Sequence, residues 1–261
     1  MRTIKASIKM LLFALMTLTL LPFQAILITL HKGKGAYILP YIWQNATCWI
    51  FSIKREILGR PIKDQQVIFV SNHISYLDIP VIGSILKSSF VAKSDVASWP
   101  VFGFLSKLQQ TAFISRTRTD VKKGTDTLDN MLNEGKNLII FPEGTSTEGT
   151  EVKPFKSSLF SVLLSKEHGG LTLQPFTIAI KSINGEIPKN QKQRDIYAWH
   201  LNMDTPLAPH LWNFAKGNGA EITLNFHPPI NTNTFSDRKT LAKECHSTVS
   251  NGLKFLQERE K

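Results

Sequence analysis

Two long apolar stretches open the chain, and short apolar runs alternate with helical patterns after them. Met10–Leu30 (MLLFALMTLTLLPFQAILITL) holds 21 residues without a charge. At about 1.5 Å per residue, a helix of that length reaches roughly 31 Å, close to the roughly 30 Å hydrocarbon core of a bilayer. Pro22 and Gln24 interrupt the pattern, so a break is expected there. The second stretch, Ala36–Ile53, carries Tyr37, Tyr41, Trp43 and Trp49, aromatics that favour a membrane interface. Together they predict a helical hairpin entering one leaflet, or two helices lying at the interface. A buried core helix and a secretory signal are the competing readings, although no small-x-small cleavage site stands out near Ala25.

Downstream the period changes. Gln66–Ser71 (QVIFVS), Ser89–Ala92, Thr111–Ser115, Asn137–Phe141 and Leu173–Lys181 are short runs rich in β-branched and aromatic residues, and they predict buried strands. Glu221–His227 alternates polar and apolar, as a half-exposed strand does. Helices are expected over Asp78–Leu86, Pro100–Leu108, Asp120–Asn133, Ser157–Lys166 and Arg238–Arg259. The third of these anchors Val121, Leu128 and Leu132 on one face and stops at Gly135. Strand–helix alternation from 66 to 181 predicts a layered α/β domain. Residues 184–219 read as a long irregular excursion. The expected division is a membrane-associated helical segment, 1–60, followed by an α/β domain, 61–261.

Charge reinforces the membrane reading. The net formal charge is +11 over 261 residues. Residues 1–60 hold eight basic residues and one acid, Glu56, so most of the excess flanks the apolar N-terminus. That placement points to an anionic membrane surface and away from nucleic acid, whose partners spread a basic stripe over the folded part. Two cysteines exclude a disulfide framework and a four-cysteine zinc site. The histidines outside the motif below show no metal-ligand spacing.

Two polar turns carry candidate chemistry. Asn72-His73-Ile74-Ser75-Tyr76-Leu77-Asp78 follows a predicted strand directly, at the end of the strand where α/β domains build their sites. Five positions apart, His73 and Asp78 would not share one face of a continuous helix, but across a strand–turn–helix junction they can meet. The carboxylate would then accept from one imidazole nitrogen and leave the other to take a proton. That is the base-and-orienter half of a triad without a protein nucleophile, since no G-x-S-x-G elbow exists. The bland reading makes Asp78 a helix cap and His73 a turn residue. The second turn, Phe141-Pro142-Glu143-Gly144-Thr145, also follows a strand. Gly144 and Gly149 have P-loop spacing, but Thr150-Glu151 stand where the loop needs Lys and Ser/Thr. Lys156 and Arg116 are candidate cations for an anionic headgroup.

NHISYLD, AFISR and FPEGT, in that order, resemble the glycerolipid (lysophospholipid) acyltransferase family. The likeness covers about 65–181. It implies an α/β acyltransferase domain in which His73 is the general base and Asp78 orients it. Asn72, Arg116, Glu143, Gly144, Thr145 and Lys156 would shape the acceptor site, and Gln174-Pro175-Phe176 stands in the block linked with acyl contacts. The donor would be acyl-CoA or an acyl carrier protein thioester, with no metal and no resident cofactor. The acceptor would be a membrane lysolipid, on the cytoplasmic face of the inner membrane. The first acceptor implied is 1-acylglycerol-3-phosphate, giving phosphatidate. The family commonly has Arg after FPEGT, and Ser146 stands there. Tyr197-Ala198-Trp199, Met203-Asp204 and Pro209-His210-Leu211-Trp212 are similar to the branch that acylates lyso-ornithine lipid, so that acceptor stays open. A membrane-docked lipid-binding protein without chemistry is a further alternative.

Overall fold

The structure, a computed structural model, describes residues 1–30, 34–114, 121–161, 164 and 170–259. Helix α1 (Arg2–Leu30) and helix α2 (Ile38–Ile50) come first. Strand β1 (Ile53–Leu58) leads to β2 (Val67–Ser71), α3 (Asp78–Gly83), β3 (Ser89–Lys93), α4 (Phe102–Leu108) and β4 (Ala112–Ile114). Helix α5 (Val121–Asn133), β5 (Leu138–Ile140), β6 (Thr172–Ile183), α6 (Gln191–Arg194) and α7 (Leu207–Lys216) follow. The chain closes with β7 (Ala220–Phe226), β8 (Ile230–Asn231) and α8 (Arg238–Arg259).

The strands form one sheet in the order β1-β7-β6-β2-β5-β3-β4, with β8 also paired to β6. Its centre is parallel: Val70 of β2 stands beside Ile140 of β5 and Pro175 of β6. Only β6 with β7 and β6 with β8 run antiparallel. Strand β2 shows why its run is continuously apolar. Val67 and Phe69 enter a core with α3 and α7 on one face, and Ile68 and Val70 a core with α5 and α8 on the other. Because β2 and β5 are parallel neighbours, the turns that follow them emerge side by side at one sheet end.

Several expectations need correction. Helix α1 runs through Pro22 without ending, and Gln24 is drawn into the fold, where its Nε2 donates to the carbonyls of Ala36 and Leu108. The sheet reaches back to Ile53, inside the segment expected to be wholly helical, because β1 pairs with β7. The helix expected over Ser157–Lys166 shows a short 3₁₀ turn, Ser157–Phe160, and much of the remainder lies outside the described residues. The irregular stretch 184–219 contains α6 and α7, and His210, Leu211, Phe214 and Ala215 of α7 are buried.

By length and composition α1 is able to cross a membrane. It presents an exposed apolar row that includes Ile4, Leu11, Leu15, Leu18, Phe23 and Leu30. Its other side packs on the domain: Lys9 donates to Gly217 O, and the Phe13 ring lies 5.5 Å from Trp43 and from Phe51. A helix half covered by protein and half coated with exposed leucine fits a seat at the membrane surface.

Candidate active site

His73 and Asp78 meet across the β2–α3 turn, with His73 Nδ1 2.8 Å from Asp78 Oδ2. The same oxygen accepts the backbone N–H of Ile74 at 2.7 Å and of Ser75 at 3.0 Å. Asp78 Oδ1 accepts the Tyr197 hydroxyl at 2.9 Å. Four donors converge on a carboxylate with no exposed surface. An ionised carboxylate only accepts, so Nδ1 carries the hydrogen and Nε2 keeps its lone pair. Burial beside Asp78 holds the Tyr197 phenol well above its usual range, so it stays a donor.

The ring is also fixed from the side. His73 stacks on Phe141 with centroids 4.2 Å apart and planes 12° from parallel, and Phe90 stacks behind Phe141. The His73 side chain is 20% exposed while Asp78 is sealed, which is how a reachable base and a protected orienter should be distributed. The second turn braces the first. Glu143 Oε2 accepts the His73 N–H at 3.0 Å and its Oε1 accepts the Lys153 N–H at 2.9 Å. Thr147 N–H returns a bond to His73 O at 2.8 Å. Burial pushes the Glu143 carboxyl up to about 8.

His73 opens onto a cavity of about 760 Å³. Gly144, Thr145, Ser146, Lys156 and Lys93 are among the residues that line it. Val91, Val96, Trp99, Phe102, Leu105 and Leu128 make a long apolar wall, with Phe13 and Trp43 contributed by α1 and α2. A volume of that size, mostly apolar in its lining but with two lysines in it, suits an amphiphile. Among the described residues no group of three His, Cys, Asp or Glu is placed to hold a metal.

The residues expected at the acceptor site divide into two groups. Gly144, Thr145 and Lys156 stand on the cavity with His73. Asn72 does not: it is fully buried, and its amide donates to Ile178 O and accepts from Ile178 N–H, tying the end of β2 to β6. Glu143 is likewise occupied by backbone N–H groups and acts on the turn rather than on a ligand. Gln174 is spent on the fold, donating to the carbonyls of Arg60 and His227 and accepting from Ile62 N–H. Arg116 lies outside the described residues. Tyr197, Phe141 and Trp199 were missed as site residues. Trp199 N–H donates to Ile74 O at 3.0 Å and its side chain lines the cavity, so the supposed excursion is a wall of the site.

The family model described as Acyltransferase matches residues 52–179. A lyso-ornithine lipid O-acyltransferase of Rhodobacter capsulatus is 33% identical over 229 residues, 85% of this chain and 78% of that protein. A 1-acyl-sn-glycerol-3-phosphate acyltransferase of Neisseria gonorrhoeae is 36% identical over 106 residues, 40% of this chain and 42% of its own. The crystal structure of the 1-acyl-sn-glycerophosphate acyltransferase of Thermotoga maritima has a TM-score of 0.66 at 20% identity, over 98% of both chains, a likeness of fold. With the His-x4-Asp and FPEGT turns side by side over a lipid-sized cavity, and a relative matched along most of its length, this chain belongs to the acyltransferase family as a lysolipid acyltransferase.

Proposed function

We propose that this chain acylates lyso-ornithine lipid, moving an acyl group from a thioester of coenzyme A or acyl carrier protein to the free hydroxyl of the lysolipid. The chemistry rests on one observation, the His73 Nδ1–Asp78 contact of 2.8 Å beside the cavity. His73 Nε2 takes the hydroxyl proton as the oxygen attacks the thioester carbonyl. The tetrahedral intermediate carries the charge on the former carbonyl oxygen. Thr145 and Ser146 line the cavity, and their N–H groups have no acceptor among the described residues, which makes them the candidate donors to that oxyanion. Collapse breaks the C–S bond, and the imidazolium returns its proton to the thiolate. The donor is a substrate and no resident cofactor enters this scheme.

The acceptor assignment is supported by the likeness to the Rhodobacter protein along most of both chains, whereas the Neisseria match is confined to less than half of this chain. Ser146 supports it too, because a phosphate monoester favours a bidentate arginine where this chain has a hydroxyl. Phosphatidate formation is the second reading, favoured by Lys93 and Lys156 on the cavity wall. The basic flanks of α1 and the water-soluble donors support a reaction on the cytoplasmic face of the membrane. Purified protein on anionic vesicles with labelled acyl thioester is offered lyso-ornithine lipid and lysophosphatidate in parallel. Preferential labelling of ornithine lipid is expected, and preferential labelling of phosphatidate overturns the acceptor assignment.

A further inference from the structure

Two histidines stand near the cavity wall, His200 between α6 and α7 and His210 within α7. His210 is wholly used by the fold: Nε2 lies 2.9 Å from Asp195 O and Nδ1 2.9 Å from the Tyr76 hydroxyl. His200 is not. Its Nε2 lies 3.4 Å from the Asp195 carboxylate, and Nδ1 has no partner among the described residues. It is nevertheless 7% exposed, and it lines the cavity that His73 opens onto. Its position is tied to the catalytic turn by its neighbours. Tyr197 bonds Asp78 and Trp199 bonds the carbonyl of Ile74, next to His73. An almost buried imidazole, with one nitrogen uncommitted among the described residues, therefore lines the same cavity as His73.

The Asp195 carboxylate accepts, so with the Nε2 hydrogen directed at it Nδ1 is left as the acceptor. Lyso-ornithine lipid is a 3-hydroxyacyl chain amide-linked to an amino acid, so an N–H donor sits a few bonds from the hydroxyl to be acylated. A lysophosphatidate has an ester oxygen and no N–H. We propose that His200 Nδ1 accepts the amide N–H of the acceptor and so reads an N-acyl amino-acid lipid against a glycerolipid. This role rests on the acceptor assignment above. It also places the hydroxyl: with the amide held at His200, the neighbouring carbon chain directs the hydroxyl along the cavity toward His73. No acidic side chain lines the described cavity, so the amino group of the headgroup is left to face water.

The test is a cycle of two acceptors and three enzymes. The acceptors are lyso-ornithine lipid and its analogue with an ester oxygen in place of the amide N–H. The enzymes are the full-length chain, His200→Phe and His200→Asn, the last keeping an acceptor oxygen near the position of Nδ1. The wild-type chain is expected to favour the amide by roughly tenfold in kcat/KM, the range of one well-placed hydrogen bond. His200→Phe should lose that preference, its kcat/KM on the amide falling to its own value on the ester analogue, and His200→Asn should recover most of the preference. A purely structural role would lower both acceptors together, and that result overturns the proposal, as does an undiminished preference in His200→Phe. With lysophosphatidate as a control, a wild-type chain that acylates it and ignores lyso-ornithine lipid and its ester analogue overturns the acceptor assignment and this role with it.

Discussion

An Asp78→Asn substitution keeps the shape of the carboxylate and removes its charge. Asp78 Oδ2 meets three N–H donors, from His73, Ile74 and Ser75, while Oδ1 meets only the Tyr197 hydroxyl. Asparagine must therefore turn its oxygen toward the three N–H groups and its amide toward Tyr197. A hydroxyl can rotate from donor to acceptor, so all four bonds survive. His73 keeps its tautomer and its place; only the charge facing the imidazolium is lost. Two unit charges about 4 Å apart are worth about 4 kcal/mol at an effective dielectric near 20, and the amide dipole retains part of that. The expected cost is about 2–3 kcal/mol in the transition state, or roughly 30–150-fold in kcat. His73→Ala removes the base itself and should cost at least roughly 10²–10⁴-fold. The assay is kcat for labelled acyl transfer at saturating thioester and acceptor, on vesicles carrying equal amounts of bound protein, with thermal unfolding recorded in parallel. A helix-cap role for Asp78 makes the opposite forecast, because asparagine caps as well as aspartate. Unchanged kcat in Asp78→Asn would refute the orienter role, and a loss as deep as that of His73→Ala would refute the argument that the network protects the tautomer.

Other perturbations test the supports of the site. The Glu143 carboxyl is raised to about 8 by burial, so the folded state holds a proton that the unfolded chain has lost between its ordinary value of 4.5 and about 8. Stability is then full below that window and falls as pH rises through it, by at most about 1.4 kcal/mol per pH unit. Glu143→Gln should flatten this slope in a series of melting temperatures from pH 5 to pH 9 (roughly four pH units), and an identical slope in the variant would remove Glu143 as its source. Phe141→Leu removes the ring stacked on His73 and should lower kcat about three- to tenfold with little change in KM, the loss of roughly 1 kcal/mol of stacking. Leu11 and Leu18 are exposed on α1, so Leu11→Asp with Leu18→Asp should release the protein from anionic vesicles in a flotation assay while its melting temperature in detergent stays the same. Retained flotation would move the membrane contact elsewhere.

The chain announces the parts of the fold that local pattern can specify. Strand β2 is buried on both faces and reads as an unbroken apolar run; α5 has its apolar stripe and its terminal glycine. Strand β1 was hidden because it is an edge strand, with only Ile53 fully buried and Lys54, Arg55 and Glu56 beside it. Its pattern is polar because one side of it faces solvent. Pro22 misled for a related reason. A helix interior tolerates proline when tertiary contacts hold both flanks, and Phe13 on one side and Gln24 on the other are so held. At the site, the five-residue spacing of His73 and Asp78 was legible because strand, turn and helix are contiguous. The Tyr197 bond to Asp78 was not, since 119 residues separate the partners and no spacing rule reaches that far. Asn72 and Glu143 sit within readable motifs, yet their work is on backbone, which residue type alone does not distinguish from work on a ligand.

The N-terminal helices were set apart in the sequence as an anchor, and the structure gives them a second duty. Phe13 of α1 and Trp43 and Thr47 of α2 line the cavity, and the Trp43 indole N–H donates to Thr17 of α1 at 2.9 Å. Gln44 of α2 donates to Gln109, another cavity residue, and packs over Gly83, where a side chain would collide with it. The same helices thus carry both an exposed apolar row and part of the cavity wall. On the proposed reading, the positive charge around these helices favours an anionic surface, and the polar groups that line the same cavity, Ser146, Lys156 and His200 among them, are left to distinguish acceptors.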